Sequence, residues 1–209
     1  MNDDAPKVSR AAAAIRVGAG IALAGVPAGA LWAWLAPPIG GVVALTKSGN
    51  RVTAYLGNES DNFFLGEFLF VGILTVLTVV ASVLVWQWRA HRGPVLLAAL
   101  TIGATLAAGA AAGVGAVLVR WRYGVIDIAA APVTPEHRIH YVTEAPALFF
   151  GHGPLQIAAT ILVPAAVGAL VYTLFALSTP RDDLGAWPPV EYAGVYPPIP
   201  VPVTPGQAP

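Results

Sequence analysis

Four long apolar runs constrain this chain more than any other feature of its sequence. They cover about residues 15–36, 64–86, 95–119 and 155–177. About 20 helical residues cross the hydrocarbon core of a bilayer, so each run is long enough to span it once. Only 11% of the residues are charged, whereas soluble domains carry about a quarter. The sequence therefore predicts an all-α membrane protein, a four-helix transmembrane bundle, rather than a soluble protein with buried helices.

Tryptophans mark the ends of three of these runs. Trp32 and Trp34 close the first run, Trp86 and Trp88 close the second, and Trp121 follows the third. Indole rings prefer the headgroup layer, where the apolar ring and the polar N–H are both satisfied. The tryptophans therefore support the span boundaries independently of hydropathy.

The first run has an alternative interpretation as a cleaved signal peptide. It has a basic start and contains the small residues AGA before Leu31, a pattern typical of a cleavage site. Pro27 inside the run and the pair Pro37–Pro38 after it are unusual for such a peptide, and the run is longer than the apolar core of an ordinary signal peptide. We expect a retained span.

Lysines and arginines predict how the bundle is oriented. The positive residues near the N-terminus and in the shortest loop are Lys7, Arg10, Arg16, Arg89 and Arg92. Arg120 and Arg122 lie on the opposite side, so the raw counts differ little. Because positive charges in short loops stay cytoplasmic, we expect a multi-pass plasma-membrane protein with both termini in the cytoplasm.

This orientation gives the predicted organisation of the chain. Residues 1–14 form a cytoplasmic N-terminus, and residues 15–178 form the transmembrane domain, with outer loops 37–63 and 120–154. Residues 179–209 are rich in proline and lack an apolar period, which predicts a disordered cytoplasmic tail.

Glycine and alanine are unusually frequent in the third run, which contains AAGAAAGVGAVLV over residues 107–119. Small residues four apart let membrane helices approach closely. The glycines predicted to pack helices in the first and third runs are Gly25, Gly29, Gly103, Gly109, Gly113 and Gly115. The favoured interpretation is an internal ridge between spans, for which a contact of span one with span three is one arrangement; a homo-oligomer face and a chance match are the alternatives.

The two outer loops predict a small β-structure. Residues 42–45 and 51–56 are β-prone and flank the turn-rich 47–50, which indicates a hairpin. The second loop contains RIHYVTEAPALFF from residue 138, which favours a further strand. We therefore expect an extracytoplasmic β-hairpin cap that this strand could extend to three strands.

Histidines in the second outer loop are the candidate metal ligands. His137, His140 and His152 lie close to Glu136 and Glu144. Their spacing matches no metalloprotease signature, and residues three apart on a strand point to opposite faces. The favoured interpretation is polar loop residues without a metal.

Glu67 is the ionisable residue that stands out within the predicted spans. A charge within a bilayer is a functional candidate by default. Because Glu67 lies near the outer end of its span, we expect it to pair with Arg120 or Arg122. Proton or ion transport through Glu67 is the alternative.

Composition also excludes several classes of function. The formal net charge is zero, so no basic field is available for nucleic acid. The chain has no cysteine, which excludes thiolate metal sites and Cys nucleophiles. No nucleophile–base pair or phosphate-binding loop stands out. We therefore expect no enzyme, no cofactor and no nucleic-acid partner.

Four short motifs resemble an uncharacterised actinobacterial family of four-span membrane proteins, a domain of unknown function of mycobacterial type. They are WLAPP after the first run, Asp61 with Phe63-Phe64 and Gly66, GHGPLQ before the fourth run, and PRDDLGA over residues 180–186. The resemblance covers about residues 15–187. It implies a plasma-membrane location and brings no catalytic residue, substrate or partner.

The functional expectation is therefore a non-enzymatic accessory or scaffold subunit of a cell-envelope or transport assembly. We expect it to contact the lipid bilayer, and to contact other proteins through its outer loops or its proline-rich tail; assembly as a homo-oligomer is a further alternative. The alternative function is a small transporter or channel, acting as a single chain or as an oligomer, that uses Glu67.

Overall fold

The computed structural model describes residues 8–186, and four helices dominate it. They are α1 (Arg10–Leu35), α2 (Asp61–Trp86), α3 (Pro94–Tyr123) and α4 (Pro154–Leu177). All four are long and apolar enough to cross a membrane, which indicates a membrane-spanning protein. The predictions for residues 1–7 and for most of the tail, 187–209, lie outside the described residues.

Capping residues explain where the helices begin and end. The Ser9 hydroxyl accepts a hydrogen bond of 3.2 Å from the N–H of Ala12, so α1 starts earlier than hydropathy predicts. Pro94 and Pro154 occupy the first turns of α3 and α4, where a missing N–H costs nothing. Gly124 ends α3 with a φ of 72°, a conformation that favours glycine.

A three-stranded antiparallel sheet covers one end of the bundle, as the sequence predicted. Its strands are β1 (Ile39–Leu45), β2 (Arg51–Tyr55) and β3 (Ile139–Glu144), in the order β2-β1-β3. Strand β1 follows α1 almost directly, and β3 comes from the long connection between α3 and α4. We call this end of the bundle the cap end. The opposite end, with the short 3-10 turn Arg89–His91, is the loop end.

Packing divides the four helices into two main pairs. Helix α1 packs chiefly against α3, and α2 packs chiefly against α4. The core near the cap end contains the fully buried Trp32 beside Phe70 and Leu74, whereas small alanines of α3 fill the space between α1 and α3. Such close packing replaces the hydrophobic driving force that lipid-embedded helices lack.

The sheet is attached to the bundle by buried side chains and by hydrogen bonds. Ile39 and Val43 of β1 are fully buried. The carboxylate of Glu59 accepts a 2.9 Å hydrogen bond from the N–H of Gly40 and another of 3.1 Å from the Asn62 side chain. Because these contacts join β1 to the start of α2, the sheet is a fixed part of the fold.

Candidate functional site

The small residues of α1 and α3 form a ridge along which the two backbones touch. A Cβ atom at Gly25 would overlap the backbone of Ala107, and one at Gly29 would overlap the backbone of Ala111. A Cβ at Gly103 would lie 2.8 Å from the carbonyl oxygen of Gly18. We call this contact the α1–α3 ridge; no larger residue fits at these three positions without moving a helix.

Gly115 has a different role near the cap end of α3. A Cβ there would come within 2.9 Å of the Trp32 ring. The indole N–H of Trp32 donates a 2.7 Å hydrogen bond to the carbonyl oxygen of Gly66 in α2, and its ring packs edge-on against Phe70 at 5.7 Å. Gly115 therefore makes room for the aromatic residue that joins three helices.

Gly109 and Gly113 do not lie on the internal ridge for which they were predicted. Both are exposed on the outside of the bundle, and a Cβ at either position would meet no atom within 4 Å. At about 100° per residue, they face away from Ala107 and Ala111, which hold the contact with α1. The literal GxxxG motif is thus on the exposed side of α3.

Glu67 is buried, with 6% of its surface exposed, but it does not form the predicted ion pair. Within residues 8–186 the one ion pair joins Arg181 and Asp183. Arg120 is exposed, and the guanidinium of Arg122 lies 5.2 Å from the ring of Tyr123. The predicted ion pair does not form because of the way α2 is rotated about its axis. Glu67 lies on the side of α2 that faces α4, and α2 contacts α3 only slightly.

Two interhelical hydrogen bonds define how α2 and α4 lie together. The hydroxyl of Thr78 donates to the carbonyl oxygen of Pro164, and that of Ser82 donates to Gly168, each at 2.8 Å. Both pairs are 86 residues apart, so the two helices run parallel at a constant offset.

The three histidines do not form a metal site in the described part of the chain. Among residues 8–186 no group of three His, Asp or Glu side chains is close enough to hold an ion. His140 lies in β3 and is partly buried, whereas His137 precedes the strand and His152 precedes α4, both exposed. The strand and the connection after it separate these side chains.

The two faces of the sheet have different surroundings. Ile39, Gly41 and Val43 are buried and alternate with residues of the opposite face, so one face of β1 lies toward the bundle. The opposite face carries two cross-strand rows of apolar residues: Val52, Ala44 and Ile139, and Ala54, Val42 and Tyr141. We call this surface the outer sheet face.

Several large side chains of the outer sheet face are open to the surroundings. Tyr141 is 70% exposed, Ile139 58% and Val52 43%. Single exposed apolar residues are common, but a contiguous group marks an interaction surface. The outer sheet face is therefore a candidate docking surface.

A cleft of about 420 Å³ lies between the sheet and the cap end of α3. The residues around it belong to β2, β3, the end of α3 and the segments that follow α3 and β3: Thr53, Tyr55, Ala116, Val119, Arg120, Gly124, Val125, Ile126, Ile128, Glu144, Ala145 and Leu148. We call it the cap cleft. Sequence reasoning missed it, because its walls come from three segments that are far apart in the chain, 53–55, 116–128 and 144–148.

Tyr55 and Glu144 meet at the cap cleft across the middle strand. Gly41 lies directly between Tyr55 and Val142 in the sheet and carries no side chain, so the Tyr55 ring reaches over it. The Tyr55 hydroxyl donates a 3.3 Å hydrogen bond to the Glu144 carboxylate. Burial, and then the nearby charge of Glu144, raise the pKa of Tyr55 above its ordinary value.

A mainly apolar groove lies between α1 and α2 on the outside of the bundle. Its larger part, about 680 Å³, lies beside Pro27, Leu31, Phe68 and Val76. No ionisable residue lines this part of the groove, and Arg16 lines its smaller part.

Arg92 holds the loop end together, a role that the sequence did not reveal. Its Nε donates a 2.8 Å hydrogen bond to the carbonyl oxygen of Trp86, and its Nη1 donates another of 2.8 Å to Leu184. The guanidinium also lies 4.2 Å above the Trp86 ring. Leu184 belongs to the PRDDLGA motif, which folds back onto the loop between α2 and α3. The unusual composition of this motif was the one sequence feature that could have indicated such a contact.

The PRDDLGA motif has its own turn. Asp183 accepts hydrogen bonds from Arg181 at 2.6 Å and from the N–H of Gly185 at 2.9 Å. Partial desolvation opposes its ionisation, but these bonds outweigh it and lower the pKa of Asp183. The fold thus extends beyond α4 to residue 186.

The chain has relatives among known mycobacterial proteins. No solved structure matches the chain significantly. The chain is 54% identical over 173 residues to the uncharacterized protein Rv1591 of Mycobacterium tuberculosis and, equally, to the uncharacterized protein Mb1617 of Mycobacterium bovis; this covers 82% of the chain and 90% of each relative. It is 52% identical over 171 residues to the uncharacterized protein ML1222 of Mycobacterium leprae, which covers 81% of the chain and 86% of that relative.

The family model described as "Protein of unknown function (DUF2567)" matches residues 21–186. Its last matched residue coincides with the end of the PRDDLGA motif. The chain therefore belongs to the DUF2567 family, as the sequence motifs predicted.

Proposed function

We propose that this protein is a non-enzymatic accessory subunit of a cell-envelope or transport assembly, and that it binds a partner protein through the outer sheet face. In this proposal the cap end is extracytoplasmic and the loop end is cytoplasmic. The protein lies in the plasma membrane with both termini inside.

The exposed apolar rows of the outer sheet face carry the proposal. Ile139 and Tyr141 present large apolar surfaces away from the bundle. Burial of apolar surface contributes about 25 cal/mol per Å², so a partner that covers these side chains gains free energy on binding. The attachment of β1 to the bundle by Ile39 and Glu59 holds the surface in a single conformation, which lowers the entropic cost of docking.

A photo-crosslinking experiment in native membranes tests the proposal. A photoreactive phenylalanine analogue replaces Tyr141 in one strain and Lys47, in the turn between β1 and β2, in the matched control. We expect a discrete adduct with a different protein from position 141 and none from position 47. Absence of any adduct at 141 in correctly folded protein, or an adduct with a second copy of this chain alone, contradicts the proposal.

The orientation is tested with single cysteines, because the natural chain has none. Lys47→Cys and Arg89→Cys lie at the cap end and the loop end. We expect a membrane-impermeant maleimide to label position 47 in intact cells and position 89 only after lysis. The reverse pattern contradicts the proposed orientation.

A second candidate function, ion or proton transport, is favoured by the burial of Glu67 without an ion pair among the described residues. Purified protein in vesicles with an internal pH dye separates the two. The accessory role predicts no flux difference between the natural chain and Glu67→Gln. Flux that Glu67→Gln abolishes and Glu67→Asp retains favours transport instead.

A further inference from the structure

The cap cleft has two chemically different parts. Its polar groups are Arg120, Glu144 and the hydroxyls of Tyr55 and Thr53. Apolar surface comes mainly from Ala116, Val119, Leu148, Val125, Ile126 and Ile128. A site that combines a charged part and an apolar part fits a molecule with the same division.

The polar part of the cleft holds one cationic and one anionic side chain, Arg120 and Glu144, so it offers separate places for a phosphate and for hydroxyl groups. The Glu144 carboxylate already accepts a hydrogen bond from Tyr55, whereas Arg120 makes no ion pair within residues 8–186. A guanidinium offers several donors in a planar arrangement that matches phosphate or carboxylate oxygens. Tyr55 and Glu144 remain available to bind hydroxyls next to that anion.

The depth of the cap cleft follows from the residues at the end of α3. Trp121 is 86% exposed beside Arg120, and Tyr123 ends the helix. Exposed tryptophan and tyrosine at a helix end are typical of the headgroup layer. Val125, which is 79% exposed, forms part of the wall at this same level. The cleft thus opens where lipid headgroups lie.

From this arrangement we propose that the cap cleft binds the headgroup of an anionic membrane lipid. The phosphate lies at Arg120, headgroup hydroxyls lie at Tyr55 and Glu144, and the start of an acyl chain lies along Ala116 and Val119. A volume of about 420 Å³ falls within the usual range of small-molecule sites. The proposal is independent of the partner on the outer sheet face, since the cleft lies on the other side of the sheet.

Binding of defined lipids to the purified full chain in neutral detergent tests this proposal. The probes are short-chain phosphatidylglycerol, short-chain phosphatidylcholine and inorganic phosphate, and the readout is calorimetric titration. We expect saturable binding of phosphatidylglycerol, with phosphatidylcholine about tenfold weaker or more. Both lipids carry the phosphate, but only the glycerol headgroup has hydroxyls that can donate a hydrogen bond to the Glu144 carboxylate. Inorganic phosphate should not compete, because it lacks the apolar chain.

Two arginines at the same helix end provide the matched pair of variants. Arg120→Gln removes the cationic group of the cleft, and Arg122→Gln removes a neighbouring charge that lies over Tyr123 outside it. We expect phosphatidylglycerol affinity to fall about tenfold in the first variant and to stay unchanged in the second. Ala116→Leu, which fills the apolar part, should weaken binding without removing charge.

Three results would overturn the proposal. Equal binding of the two lipids shows that the headgroup hydroxyls are not recognised. Equal loss of affinity in both arginine variants shows that only the general surface charge matters. Inorganic phosphate that binds as tightly as the lipid shows a site for a soluble anion. Circular dichroism and gel filtration of each variant verify that it is folded, and Ala116→Leu supplies a second test should Arg120→Gln fail to fold.

Discussion

Gly25 of α1 lies against the backbone of Ala107 in α3, with no room for even a methyl group between them. This contact answers why an apolar chain contains so many residues without side chains. In lipid the helices gain little from burying apolar surface, so they associate by close approach of their backbones.

The first prediction concerns this ridge. Gly25→Leu should disrupt the α1–α3 contact, because backbone atoms cannot move aside as a flexible side chain can. We expect the free energy of unfolding to fall by about 1–3 kcal/mol or more, measured by thermal unfolding in detergent. Gly20→Leu is the control, since a Cβ there meets nothing within 4 Å. Equal stability of the two variants would contradict the assignment.

The second prediction concerns the exposed GxxxG motif. Gly109→Ala and Gly113→Ala should leave the stability of the isolated chain unchanged or raise it, because the space beside both glycines is open and alanine favours a helix by about 1 kcal/mol. Thermal unfolding measures this effect. A marked destabilisation at either position would indicate that the motif packs inside the bundle or inside an oligomer.

The third prediction concerns the contact between α2 and α4. Thr78→Val and Ser82→Ala each remove one interhelical hydrogen bond. Such bonds contribute about 0.6 kcal/mol on average in membrane proteins, so the double variant should unfold at a lower temperature than either single one. Thr101→Val, whose hydroxyl bonds only within α3, serves as the comparison and should have a smaller effect.

The fourth prediction concerns pH and the cap cleft. Since the pKa of Tyr55 is raised, its proton is held more tightly in the folded chain. Its contribution to stability is therefore fully present below the ordinary tyrosine pKa and is lost as pH rises through the higher, folded-state value. The difference in phenolate absorbance between the natural chain and Tyr55→Phe reports this titration. Glu144→Gln should move it to lower pH; a titration at the ordinary value would contradict the contact.

The fifth prediction concerns the loop end. Arg92→Met removes the bonds to Trp86 and Leu184, so residues 179–186 should lose their attachment to the bundle. We expect faster amide hydrogen exchange in that segment, with little change in the cap. Arg89→Met is the control, because Arg89 makes no hydrogen bond to that segment within the described residues. Equal exchange in both variants would show that Arg92 does not hold the segment.

Much of the architecture could be predicted because it depends on local composition. Runs of apolar residues identify helices by length alone, and the turn at 47–50 between two β-prone segments identifies the hairpin. The sequence did not predict how each helix is rotated about its own axis. A helix that is apolar on every side carries no periodic signal for which face is inside, so Gly109 could not be distinguished from Gly103.

The sequence by itself determined the four long apolar helices, the three strands and the membership of the family, because these follow from short stretches of neighbouring residues. Only the tertiary structure decided that Glu67 faces α4 and not Arg120, that Arg92 reaches Leu184, and that three segments enclose the cap cleft. Those relationships join residues far apart in the chain. They depend on how each helix is turned against its neighbours, and the backbone contacts that set this rotation exist only once the bundle is assembled.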